Sequence, residues 1–185
     1  MTIRIETIRH KWREDELMSL VGQLVKVARE TLPQIAFEVS DLQQRFNVAT
    51  VAELIEANGV LRKAKKLVAT NILRFVPIKL ESVTYISVTD ASFAMQLGGA
   101  SQMGLAVLMA TSTILEGSDT ASLLEWLSKK THRVVKSTLA AEAAAMSYGF
   151  DRTFFAREVY TEITSGRSRR WKDISPSAPM IIQFT

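Results

Sequence analysis

Cysteine is absent from the 185 residues. Its absence excludes disulfides, zinc knuckles and thiol catalysis, and it fits a reducing, intracellular compartment. Histidine occurs only twice, which leaves too few soft ligands for most transition-metal sites. Any metal is therefore expected to be a hard ion held by carboxylates. With 8 glycines and 4 prolines the chain is too poor in both to be linker-rich, collagenous or low-complexity. Long apolar runs are missing too. The longest weakly polar stretch, Gly104 to Leu115, falls far short of the roughly 20 residues that cross a bilayer. The N-terminus, MTIRIETIRHKWREDE, has no apolar core followed by small residues and does not read as a secretory signal. The expectation is an intracellular protein, nuclear or cytoplasmic, without a membrane partner.

What is present suits a folded core. The chain is 47% hydrophobic, 23% charged and 8% aromatic. Its length allows one domain, or one small domain with a helical attachment. The net charge of +4 is unevenly placed: residues 1–80 hold 13 Lys and Arg against 9 Asp and Glu, and residues 81–185 hold 10 against 10. Within the second part the cations cluster. SKKTHRVVK (128–136) has four and no acid, and RSRRWK (167–172) has four more. Such clusters suit phosphate contacts, and equally suit a solvated charged face.

Residues 14–69 carry a helical period. Leu17, Leu20, Val21, Leu24, Val25 and Ala28 form one apolar stripe. Pro33 suits the first turn of a second helix, whose apolar face is Ile35, Ala36, Val39, Leu42 and Phe46. Thr50 and Glu53 form a T-x-x-E capping box that opens a third helix with Leu54, Ile55, Leu61 and Val68. The polar side of that helix holds Arg62, Lys63, Lys65 and Lys66.

After Pro77 the period changes to two. A strand from Val83 ends at Asp90, a second spans Gln102 to Ala110, and a third spans Ser122 to Ser128 after the Glu116-Gly117-Ser118 turn. These form an antiparallel meander. Ser137 or Thr138 caps a helix through LAAEAAAMSYGF that runs on past Phe154, Phe155, Val159 and Ile163. MIIQF, from Met180, reads as a fourth strand, and the helix before it supplies the crossover that lets it pair parallel to the first. The fold expected is α+β: residues 1–80 as an all-helical segment and residues 81–185 as a mixed sheet with a packed helix.

Two carboxylates stand out. Asp90 closes the first strand inside VTDASFA, and Glu142 lies in the alanine-rich STLAAEAAAMS. Leu139, Ala143 and Met146 stand three, one and four residues from Glu142, which places it on an apolar, sheet-facing stripe. An acid aimed at a core needs a partner or a cation. Spacing alone leaves two readings open: a turn-initiating Asp with a solvent-facing Glu, or a pair converging on one divalent ion.

The order of these motifs resembles the RNase H domain of copia-type (Pseudoviridae-like) retrotransposon polyproteins. That family has a DAS(F/W)A strand end, here Asp90-Ala91-Ser92-Phe93-Ala94. It is followed by a K–K–R–V–x–x–S–T–x–A–E segment, here Lys129-Lys130 through Ser137-Thr138-Leu139-Ala140-Ala141-Glu142. Ser101-Gln102-Met103-Gly104 is similar to the family's S-Q-x-G. Leu20-Val21-Gly22-Gln23-Leu24, followed by Thr31-Leu32-Pro33-Gln34-Ile35-Ala36-Phe37-Glu38-Val39-Ser40, resembles SLVGxLxxLAxxTRPDIAFxVS at the C-terminal end of the family's reverse transcriptase. The resemblance covers residues 14–165 in the expected order.

The resemblance implies an RNase H-like domain, 81–185, behind a helical reverse-transcriptase tail or connection, 1–80. It would hydrolyse the RNA strand of an RNA–DNA hybrid. Two Mg²⁺ ions (Mn²⁺ as an alternative) about 4 Å apart would be held by carboxylates that include Asp90 and Glu142. Hybrid shape and 2′-hydroxyls, not sequence, would be recognised. Lys129, Lys130, Arg133 and Lys136 would contact the backbone, with the rest of the reverse transcriptase as partner and no organic cofactor. His132 reads as a surface residue and Trp126 as core, while Trp171 could stack on a base.

The chain also departs from the pattern. Thr31-Leu32-Pro33-Gln34 lacks both charges of T-R-P-D, and the polymerase fingers and palm are absent. The family's third carboxylate follows the fourth strand, whereas Thr185 ends this sequence. Asp151, nine residues past Glu142, lies about 180° round the helix, and Asp173 precedes the strand. The expected consequence is an impaired nuclease. The alternative is a non-catalytic nucleic-acid-binding or structural remnant of the same element.

Overall fold

The computed structural model describes residues 2–48, 50–79, 82–96, 99–117, 119–131, 134–166 and 180–184. The fold is α+β. Three helices come first, α1 (Thr2–Glu30), α2 (Ala36–Gln44) and α3 (Val51–Thr70). Large apolar side chains at helical spacing bury the first two: Leu17, Val21, Leu24 and Ala28 of α1 meet Ile35, Val39 and Leu42 in one core cluster. Thr50 caps α3 as its spacing predicts. Its hydroxyl accepts from the Ala52 N–H at 3.1 Å, and its own N–H donates to the Glu53 carboxylate at 2.8 Å. Arg45 then ties the end of α2 to the start of α3, reaching Asp41 at 2.6 Å and Glu56 at 2.7 Å.

The buried face of α3 differs from the one its large side chains mark. Leu54 and Leu61 pack partly, but Ile55 and Val68 are exposed, and Ala57, Val60 and Ala64 are buried. Small residues let the helices approach closely, and that choice leaves two larger ones outside.

Four strands follow, β1 (Val83–Gln96), β2 (Ala100–Thr111), β3 (Ala121–Lys130) and β4 (Met180–Phe184). They form one sheet in the order β3-β2-β1-β4. The first three make an antiparallel meander, while β4 pairs parallel to β1 from Tyr85↔Met180 to Thr89↔Phe184. A parallel neighbour needs a crossover, and α4 (Thr138–Ser165), lying between β3 and β4 in the chain, provides it. The Ser137 hydroxyl caps α4, accepting from the Ala140 N–H at 3.1 Å.

By compactness the chain divides into two units. One comprises residues 1–73, 94–102 and 127–132; the other comprises 74–93, 103–126 and 133–185. In the first, Gln102 is the buried hub. It donates to Ser40 Oγ at 2.9 Å and Ser128 Oγ at 2.8 Å, and accepts from Gln44 Nε2 at 3.0 Å. In the second, α4 lies on the sheet through Ala141, Ala145, Gly149, Thr153, Arg157 and Thr161. This spacing of four drifts about 40° round the helix per step, so the contact line curls. Leu139 and Ala143, expected on the sheet side, are exposed instead, while Ala141, Ala145 and Gly149 take that side.

Candidate functional site

β1 does not end at Asp90. It continues six residues further, to Gln96, so Asp90 is a mid-strand residue and not a turn initiator. Across the ladder stands Gly104 of β2, where a Cβ would lie 4.0 Å from the Asp90 carbonyl oxygen. Asp90 is exposed, whereas Ser87 and Thr89 are almost fully buried. These two face α4. A Cβ on Gly149 would stand 2.5 Å from Thr89 Cγ2 and 2.7 Å from Ser87 Oγ. Regular pleating therefore turns Asp90 toward the face that α4 does not cover.

Glu142 sits one residue past the buried Ala141, on the flank of the sheet-facing stripe. Its Oε2 is buried and has no hydrogen-bond partner among the described residues. A buried carboxylate oxygen in that state calls for a cation or a donor. This orphaned atom is the local feature that fits a hard divalent ion, and exposed Asp90 is chemically the same kind of ligand. Among the described residues, no group of three or more acidic or histidine side chains is arranged to hold a metal. Asp151 is exposed on α4, and Asp173 lies outside the described residues.

The basic residues are distributed as follows. Lys130, at the end of β3, and Lys136, just before α4, are exposed, and Lys129 is half-buried. Arg133 and His132 lie outside the described residues, as does the whole 167–172 cluster with Trp171. Trp126 is half-buried within β3.

Two features between α4 and the sheet carry little signal in the sequence. The Ser87, Thr89 and Thr153 hydroxyls are buried without partners among the described residues, forming a polar seam beside Gly149 where a core pattern would place apolar groups. Arg152 of α4 grips Glu125 of β3 with Nε–Oε1 at 2.9 Å and Nη2–Oε2 at 2.9 Å, and this carboxylate pushes the guanidinium pKa up. The 27-residue separation hides that pair from any local reading. No family model, curated relative or solved structure matches this chain.

Proposed function

We propose that the chain joins the tail of a copia-type reverse transcriptase to an RNase H-like domain acting on RNA–DNA hybrids. The observation that supports this reading is the strand order β3-β2-β1-β4, with β4 parallel to β1 across the α4 crossover. It is the arrangement the motif order implies, with an acid on the first strand and another in the helix that crosses the sheet. Asp90 and Glu142 are the residues that would hold Mg²⁺ or Mn²⁺. When bound, such an ion supplies water activation and neutralises the leaving oxygen. The chain's own part is to present these carboxylates on a rigid strand and helix, with Lys129, Lys130, Arg133 and Lys136 contacting the phosphate backbone. With two motif carboxylates in the 185 residues, cleavage by this polypeptide is expected to be slow.

A second reading, a nucleic-acid-binding remnant that does not cut, is favoured by the pleat that turns Asp90 away from α4. One experiment separates the two. The purified chain is incubated with labelled hybrid and Mg²⁺ or Mn²⁺, beside Asp90→Asn and Glu142→Gln. Slow cleavage lost in both variants is the expected result. Hybrid binding without cleavage selects the remnant, and cleavage indifferent to both substitutions removes the site.

A further inference from the structure

We infer that the outer face of α3 is a binding surface for the phosphate backbone of a nucleic-acid duplex. At about 100° per residue, Asn58, Arg62, Lys65 and Lys66 fall within one arc of roughly 100°. Ala57, Val60 and Ala64, the buried stripe, lie opposite. All four outer residues are exposed. Arg62, Lys65 and Lys66 form no ion pair with any described residue, in contrast to Lys63 on the flank, which is held by the Glu38 carboxylate and the Gln34 carbonyl.

Along the sequence the charge has one sign from the middle of α3 until Glu81. From Ala57 to Leu80 the sequence has six cations and no acid, and the nearest acid before it, Glu56, is engaged by Arg45. Unpaired like charges on one helix face repel and lower its stability. A polyanion relieves that repulsion. Arg62 and Lys66 are separated by about 6 Å of helix rise, close to the axial span of two phosphates at about 3.4 Å each along one strand. Asn58, whose amide donates to the Leu54 carbonyl at 2.9 Å, bounds the stripe at its N-terminal end, and exposed Ala69 continues it at the other. Gly59 keeps the helix surface open beside it, since a Cβ there would meet only Arg62 Nη2, at 4.0 Å.

This surface does not depend on Asp90 or Glu142. The test measures affinity of the full chain for a labelled RNA–DNA hybrid duplex across a salt series. The variants are Arg62→Gln/Lys65→Gln/Lys66→Gln, the milder Lys65→Gln/Lys66→Gln, and a separate Lys129→Gln/Lys130→Gln/Lys136→Gln. Glutamine keeps the helix propensity of lysine and arginine. Each lost phosphate contact lowers the salt slope by about 0.9, so the triple α3 variant should lose about 2.7 and the double about 1.8. Unchanged slopes in folded α3 variants overturn the inference, as does a preference for phosphatidylserine vesicles over the duplex. If only the 129–136 variant loses slope, this inference fails while the proposed function stands. Slope lost in the α3 variants, alongside cleavage indifferent to Asp90→Asn and Glu142→Gln, supports this surface and removes the proposed site.

Discussion

At the scale of single residues, two glycines sit in helices for opposite reasons. Gly149 is where α4 comes closest to β1, and an added methyl would meet Thr89 Cγ2 at 2.5 Å, Ser87 Oγ at 2.7 Å and Leu105 Cδ1 at 3.3 Å. Strand and helix must part to admit it. Gly149→Ala is therefore expected to lower stability by about 1–3 kcal/mol despite alanine's better helix propensity. Gly59 has no such neighbour, and Gly59→Ala is expected to raise stability by about 0.5–1 kcal/mol through backbone entropy. Urea denaturation of both variants measures the difference. If Gly149→Ala matched or exceeded the wild type, α4 would not lie on β1 as described.

Elements are legible where size and periodicity agree. In α1 and α2 the apolar residues at core spacing are the buried ones, with Met18 and Phe37 off that stripe and exposed, so spacing marks the core. The T-x-x-E box likewise marks the start of α3. The sheet-facing side of α4 is not legible, because Ala141, Ala145, Gly149 and Thr153 are small or polar while Leu139, Phe155 and Ile163 stay exposed. A reading that weights side-chain size selects the wrong face of such a helix. Propensity likewise ends β1 too early, because aspartate usually stops a strand, yet Asp90 sits in a continuing ladder. Of the candidate pair, the identities come from motif order, and Glu142's orphaned oxygen comes only from the packing.

The connection between β2 and β3 makes a separate prediction at the same scale. Asp119 accepts hydrogen bonds from the Thr111 and Thr113 hydroxyls and from the Thr120 N–H at 2.7 Å. These donors, Thr111 first, hold its carboxyl down from the ordinary 3.8 to about 2. A lowered carboxyl pKa stabilises the fold above the unfolded value, and that contribution is lost as pH falls through the folded one. The loop's contribution should thus be complete above about pH 4 and lost toward pH 2. Carboxyl carbon NMR should place the Asp119 midpoint near the lower value, with Thr111→Val/Thr113→Val moving it back toward 3.8. An unmoved midpoint would remove the hydroxyls as its cause.

For the whole molecule, each unit has its own source of order. The helical one is closed by an apolar cluster and by the Gln102 hub, whose loss would take a hydrogen bond each from Ser40, Gln44 and Ser128 and leave Gln44 only the Ser40 carbonyl at 3.3 Å. The other is closed by α4 lying on a mixed sheet, clamped by Arg152 on Glu125 and by Tyr85 edge-on to Tyr160 at 6.1 Å. That arrangement gives the chain its candidate chemistry, because it sets an acid on β1 and an acid on α4 within one unit. The most direct test of the pairing is paramagnetic broadening of backbone amide signals as Mn²⁺ is titrated into the intact chain. The pleat sets Asp90 on the face opposite α4, so a shared ion needs that carboxylate to turn back toward Glu142. If it does, amides around Asp90 and around Glu142 broaden together, and Asp90→Asn or Glu142→Gln abolishes both effects. Broadening at Glu142 that leaves the Asp90 region sharp, or that survives Asp90→Asn, would contradict a shared ion.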